Sequence, residues 1–263
     1  MKRRPFSLFP AYLTLSLYVA SSCAAAEPAP PIVSAFNVYT HGIELRLAQQ
    51  HRSRITFLAR HNETGERRGE FTIEQLTPSS SGALPGALLH HWRGTAFAPG
   101  ATAAEFEQLM KDFTAYPQYF SPQVLQAKVL TLHGDHLQAW MRVRQRHILT
   151  VVMDTTYDIT YAHLGGQHGY SASQSTRISE IDNPGTINER VLSSSEEHGF
   201  LWRQNTYWSY EERDGGLYMQ IESVSLTRSI PRGLGWVVRP FVESIPRESL
   251  EFTLRSTCNA LRK

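Results

Sequence analysis

Gln204-Asn205-Thr206-Tyr207-Trp208-Ser209-Tyr210-Glu211-Glu212-Arg213-Asp214-Gly215-Gly216-Leu217-Tyr218-Met219-Gln220-Ile221-Glu222-Ser223-Val224-Ser225 reads as a complete β-hairpin. Asp214-Gly215 is the two-residue signal of a type I′ turn, whose twist matches that of the strands it joins. Closing the turn there opposes Arg213 to Gly216. Tyr210 then pairs with Met219, Trp208 with Ile221, Thr206 with Ser223 and Gln204 with Ser225. Successive side chains alternate across a strand, so these pairs share one face. The other face carries Glu211 with Tyr218, Ser209 with Gln220 and Tyr207 with Glu222. The first face is apolar with a few small hydroxyls, and the second is polar. This is the pattern of an antiparallel sheet with one side on the core and one in water. A slip of one residue would mix the two sets, so the pattern fixes the register.

The same alternation runs upstream. Met141, Val143, Val151, Met153, Tyr157 and Ile159 occupy odd positions, while Arg142, Arg144, Arg146, Asp154 and Asp158 occupy even ones. The odd set is expected inside and the even set outside, with Arg142 and Asp154 placed to pair across strands. Strands are expected over about 87–97, 123–132, 136–146, 148–161, 168–181, 199–212 and 215–228. Phe106, Leu109, Met110 and Phe113 put a helix over 101–113, capped by Thr102 with Glu105 completing a capping box. Leu250, Leu254 and Leu261 share one face of a helix over 246–261. Before the regular pattern begins, the spacing predicts a helix within 34–58, with Gly42 as its weak point. A polar loop is expected over 62–69 and a short strand at 71–75.

This order of a strand, helices, antiparallel strands and a long C-terminal helix resembles the START-like, or helix-grip, superfamily. Phe106 to Pro122 is similar to the helix, Tyr-Pro and aromatic segment of polyketide-cyclase-like and coenzyme-Q-binding members. Tyr207 to Tyr218, Leu226 to Trp236 and Ile245 to Leu250 resemble a bacterial START-like group. The resemblance covers about residues 84–263, leaves 27–83 as an N-terminal extension, and implies an α+β fold. In that fold a curved sheet wraps the C-terminal helix around a pocket. The superfamily includes lipid carriers, receptors, cyclases and chaperone activators, so the pocket's occupant is not set by fold.

Register and resemblance together nominate a ligand-binding face of Met141, Met153, Tyr157, Trp202, Trp208, Tyr210, Met219 and Ile221. Leu250 and Leu254 face it from the helix. Gln204, Thr206, Ser223 and Ser225 are its polar members and would orient a head group by hydrogen bonds. The competing reading is that these side chains fill a core. The expected partner is an apolar small molecule: a lipid, a quinone or a polyketide-like compound. Gly233 to Val242 is apolar and Gly-flanked, a candidate lid or transient membrane contact against the plainer reading of ordinary packing.

No catalytic constellation is assigned. Gly-x-Ser-x-Gly, His-Glu-x-x-His and a phosphate-cradling glycine loop are all missing from the sequence. Tyr157 and Tyr210 are the acid–base candidates if the pocket turns over a substrate as a cyclase or dehydratase. A ligand-free interaction module is the third alternative. No metal site or cofactor is expected. His90 and His91 point to opposite faces, and His133-Gly134-Asp135-His136 is a turn that lacks a further ligand. Cys258 is expected to be a packed thiol.

Lys2-Arg3-Arg4, the apolar run from Phe6 to Ala20 and the small residues Ala24 and Ala26 have the form of a secretory signal peptide over about 1–26. Lipidation of Cys23 is disfavoured, because Ala20 stands where Leu is usual. The 263 residues carry 26 Lys+Arg against 24 Asp+Glu, so charge does not point to nucleic acid. Cleavage after residue 26 would remove three of the basic residues and no acid, leaving a net charge of −1. It would also leave one cysteine, so an exported chain would rely on its core and not on an internal disulfide. A periplasmic or secreted location is the expectation, and the oligomeric state is open.

Overall fold

The computed structural model describes residues 27–53, 55–77, 83–146, 150–229 and 235–262, excluding the side chains of 83 and 235–243. In chain order the elements are α1 (Pro30–Gln50), α2 (Glu63–Arg67), β1 (Thr72–Gln75), β2 (Ala83–Leu84), β3 (Ala87–Pro99) and α3 (Ala103–Lys111). A short 3-10 turn leads into α4 (Tyr116–Tyr119). Then come β4 (Val124–His133), β5 (His136–Arg146), β6 (Thr150–His163), β7 (His168–Asp182), β8 (Arg190–Val191), β9 (Arg203–Arg213), β10 (Gly216–Arg228) and α5 (Gly235–Leu261). All strand pairings are antiparallel in one sheet, ordered β1-β3-β10-β9-β7-β6-β5-β4, with β2 beside β3 and β8 beside β7. α5 packs across the sheet chiefly on β3. This is the helix-grip arrangement.

The β9–β10 hairpin closes as expected. Asp214 and Gly215 both take positive φ, at 56° and 75°. Tyr210 opposes Met219, Trp208 opposes Ile221, Thr206 opposes Ser223 and Gln204 opposes Ser225. Thr102 caps α3 by accepting from Glu105 N, while the Glu105 carboxylate accepts from Thr102 N at 3.0 Å, completing the capping box. Arg142 forks onto Asp154 at 2.7 and 3.0 Å and also reaches Glu189 at 2.7 Å.

Several boundaries move for identifiable reasons. α1 starts at Pro30, where proline's missing N–H costs nothing, and passes through Gly42 without a break. The polar loop at 62–69 contains α2, capped by Asn62. β9 begins at Arg203, later than expected, because residues 198–200 are held out of the ladder. Their backbone N–H groups donate to the buried Glu180 carboxylate at 2.9–3.1 Å. α5 begins at Gly235, ahead of the expected 246. The helix thus runs through Pro240 and Pro246, each of which lacks a backbone donor, and Leu250, Leu254 and Leu261 are buried along its later turns.

The main correction concerns the face expected to be in water. Tyr207, Ser209, Tyr218, Gln220 and Glu222 are all buried. α1 lies over that face, with Phe36, Ile43 and Leu47 packed on Ala87, Leu89, Val224 and Leu226. Residues 51–53 and 55–61 continue the cover: Phe57 and Leu58 sit on Phe97 and Tyr218, and Ala59 exchanges both backbone bonds with the Gln220 amide. β9 and β10 are therefore sandwiched, and Tyr207, Ser209, Gln220 and Glu222 on that face each take a partner from residues 44–59. Among the described residues no helix is long and apolar enough to cross a membrane.

Candidate functional site

The inner face, towards α5, is best read across the strands. His90, Ser225, Gln204, Ser175 and Tyr157 form one rung. Trp92, Ser223, Thr206, Ser173 and Ile159 form the next. Gly94, Ile221, Trp208, Ser171 and Tyr161 make a third, and Ala96, Met219, Tyr210, Gly169 and His163 a fourth. The first two rungs are rich in hydroxyl and amide groups, and the last two are mainly apolar.

The apolar rungs are closed. A Cβ built on Gly94 would stand 2.7 Å from Leu254 Cδ1 and 3.1 Å from Leu250 Cδ2, so α5 rests directly on the β3 backbone there. Met219, Ile221, Trp208, Leu250 and Leu254 join Phe106, Leu109 and Cys258 in the principal core. Burial pushes the Cys258 thiol up to about 11, in keeping with a packed side chain. Tyr210 is a structural pin. Its ring passes over Gly169, where a Cβ would meet the hydroxyl at 2.2 Å. Its O–H donates to Glu107 of α3, which also holds His163 Nδ1 at 2.7 Å. Burial and the Glu107 carboxylate keep the Tyr210 proton in place.

The polar rungs are only half-buried at Gln204, Thr206, Ser223 and Ser225. Tyr157 O–H donates to Gln204 Oε1 at 3.2 Å, and Gln204 N donates to Ser175 Oγ at 2.8 Å. Burial pushes the Tyr157 hydroxyl up to about 12, so at neutral pH it is a proton donor. Among the described residues the hydroxyls of Thr206, Ser223 and Ser225 make no side-chain hydrogen bond, and the buried Trp92 Nε1 has no acceptor. These rungs carry no carboxylate. His90, at their end, is held below the usual imidazole range by burial and meets Thr227 Oγ1 at 3.4 Å. The arrangement can donate and accept hydrogen bonds beside apolar walls, but it has no paired acid and base.

The nominated residues therefore divide. Gln204, Thr206 and Ser223 are half-buried on the inner face, with Tyr157 bonded to Gln204 and Met141 half-buried on β5. Tyr210, Trp208, Met219, Ile221, Leu250 and Leu254 share that face but are packed into the core. Met153 is buried opposite Val143 and Glu180, away from the polar rungs. Trp202 lies on the other face, among Phe36, Leu47, Tyr207 and Leu226. It precedes β9, and the Glu180-anchored loop turns it out of the strand's alternation. Trp92, Ser173 and Ser175 were not nominated. Leu88-Leu89-His90-His91-Trp92 has no period-two contrast, so only the pairing of β3 with β10 reveals which side Trp92 takes.

His90 and His91 do point to opposite faces, opposing Ser225 and Val224 respectively. His136 pairs with Asp158, and Asp135 with Lys111 and His163. Among the described residues no three His, Cys, Asp or Glu side chains converge as a metal site would require. The side chains of 235–242, and all of Gly233 and Leu234, lie outside the described residues, so the lid expectation falls there.

No protein-family profile matches the chain, and neither does any curated protein. Solved structures with a similar course include TTHA0849 from Thermus thermophilus, at 13% identity and a TM-score of 0.46, covering 64% of this chain and 94% of that one. A STAR-related lipid transfer protein fragment from Xanthomonas axonopodis is 16% identical with a TM-score of 0.45, covering 73% of this chain and 99% of that fragment. The Zhui aromatase/cyclase from Streptomyces sp. R1128 is 11% identical with a TM-score of 0.44, covering 65% and 92%. These are likenesses of overall course, and the activities in those names belong to those proteins.

Proposed function

We propose that this chain binds an apolar small molecule bearing one polar end, held between the inner face of the sheet and α5. The observation that carries this reading is the half-buried polar band of Gln204, Thr206 and Ser223 beside the partnerless Trp92 Nε1. Buried polar groups are ordinarily hydrogen-bonded, and a ligand head group would complete this set. Apolar contact with the half-buried Trp92 ring and Met141 would add to the affinity, at about 25 cal/mol per Å² of apolar surface buried. The absence of a carboxylate from the band, and the firmly held Tyr157 proton, favour carriage or sensing over turnover.

Export belongs to the same proposal. It is supported by Lys2-Arg3-Arg4, the apolar run and the small residues up to Ala26. The test is mass spectrometry of an organic extract of the protein purified from its native host. One apolar compound at near-stoichiometric amount is expected. The variant Thr206→Val with Ser223→Ala removes two hydroxyls at little change in volume, and should retain at least about tenfold less of it, the equivalent of about 1.4 kcal/mol. Equal loading of variant and wild type, or no compound in either, would overturn the reading.

A further inference from the structure

On the face away from α5, α1 and the β1–β3 edge flank an open cleft of about 510 Å³, within the size range of small-molecule sites. Its floor is a fixed polar network. The Glu222 carboxylate, 2% exposed, accepts from Arg46, from Arg93 Nε at 2.8 Å and from His91 Nε2 at 3.0 Å. His91 bridges the two groups, with Nε2 on that carboxylate and Nδ1 2.9 Å from the Tyr39 hydroxyl. Burial, with the nearby Glu222 charge, keeps the Tyr39 proton on.

The two cations differ. Arg93 is 13% exposed and is occupied by Glu222 and Glu74. Arg46 is 39% exposed and spends only Nη2 on Glu222 and Nη1 on Gln50, at 3.4 Å. A guanidinium has five N–H donors, so Arg46 retains capacity for another acceptor. Among the described residues the side chains lining the cleft include no acid, Glu222 lying behind Arg46, His91 and Arg93, and Val38, Ile43 and Leu76 give it an apolar wall. Gly42 widens it: nothing lies within 4 Å of where its Cβ would be.

We infer that this cleft binds a small amphiphile with a single carboxylate, the carboxylate on Arg46 and the hydrocarbon on the Val38–Ile43–Leu76 wall. A doubly charged phosphate would need a second uncommitted cation, and Arg93 is already committed. The whole sheet separates this site from the inner face, so it does not rest on the function proposed above.

The test is calorimetric titration of the full chain with octanoate and with octanol, which share a chain length and differ in charge. One equivalent of octanoate should bind at least tenfold tighter than octanol, and weaken with added salt. Arg46→Gln should weaken octanoate at least tenfold. Gly42→Leu places a side chain in the open space of the cleft while keeping every residue that bonds Glu222, and leucine is the better helix former. It should abolish the site in a folded protein. Equal binding of octanoate and octanol, no saturation by about 10 mM, or undiminished binding by Gly42→Leu would each overturn the inference. The last result would move the anion elsewhere, the inner face included, and leave the inner-face reading standing.

Discussion

Glu222→Gln isolates the electrostatics that bind the N-terminal extension to the sheet. Burial alone would raise this carboxyl. The His91 hydrogen bond and the charges of Arg93 and Arg46 outweigh burial and hold it at about 2, against an ordinary 4.5. That is roughly 2.5 pH units, or about 3 kcal/mol at about 1.36 kcal/mol per unit. A depressed carboxyl stabilises the fold fully above its unfolded value, and the contribution is lost as pH falls through the folded value. Near neutral pH, Glu222→Gln should therefore cost about 3 kcal/mol, in line with the penalty for stranding one partner of a buried pair. Between pH 4.5 and about 2 the wild type should lose that advantage, and the two proteins should converge. Urea unfolding followed by tryptophan fluorescence, at several pH values from about 7 to about 2, gives the difference directly. Other carboxylates titrate in both proteins and largely cancel. A difference that stays constant across this range would refute the assignment, because it would mean the substitution acts through shape and not charge.

His51 stacks on Tyr170 at 4.2 Å, with Nε2 at 2.8 Å from Ser209 Oγ; burial first, and the Arg46 charge second, lower it to about 4. The fold thus prefers the neutral ring, so stability should fall as pH drops from about 6.5 to 4, a loss that His51→Phe should flatten in urea titrations at those two pH values. Leu254 is fully buried on Gly94, and Leu254→Ala should cost about 2–5 kcal/mol through lost contacts and the cavity left behind. A cost under about 1 kcal/mol by the same assay would mean that α5 does not seal the apolar rungs.

Local pattern was enough for the elements whose own residues carry the signal. Asp214-Gly215 and the alternation beside it specify the last hairpin pair by pair, because a turn type and a period of two leave one register. Thr102 and Glu105 mark the start of α3 for a similarly local reason. The alternation over 136–161 sorts Arg142 and Asp154 from Met141 and Tyr157. Polarity fails as a guide to exposure at Ser209, Gln220 and Glu222. Their partners, His51, the Ala59 backbone and Arg46, are more than 150 residues away in the chain. An alternating polar face looks the same whether water or a distant segment satisfies it. Trp202 departs from its expected face because Glu180, far upstream, bends the chain ahead of β9. Trp92 is silent in the sequence because β3 is buried on both faces and shows no contrast. The sequence by itself determined the register of the last hairpin, the helix cap and which side chains of that hairpin share a face, all set by neighbours in the chain. Only tertiary structure decided that α1 buries the second face and that the apolar rungs are sealed while the polar ones stay half-buried. Those outcomes depend on which distant groups meet, and no local periodicity encodes that.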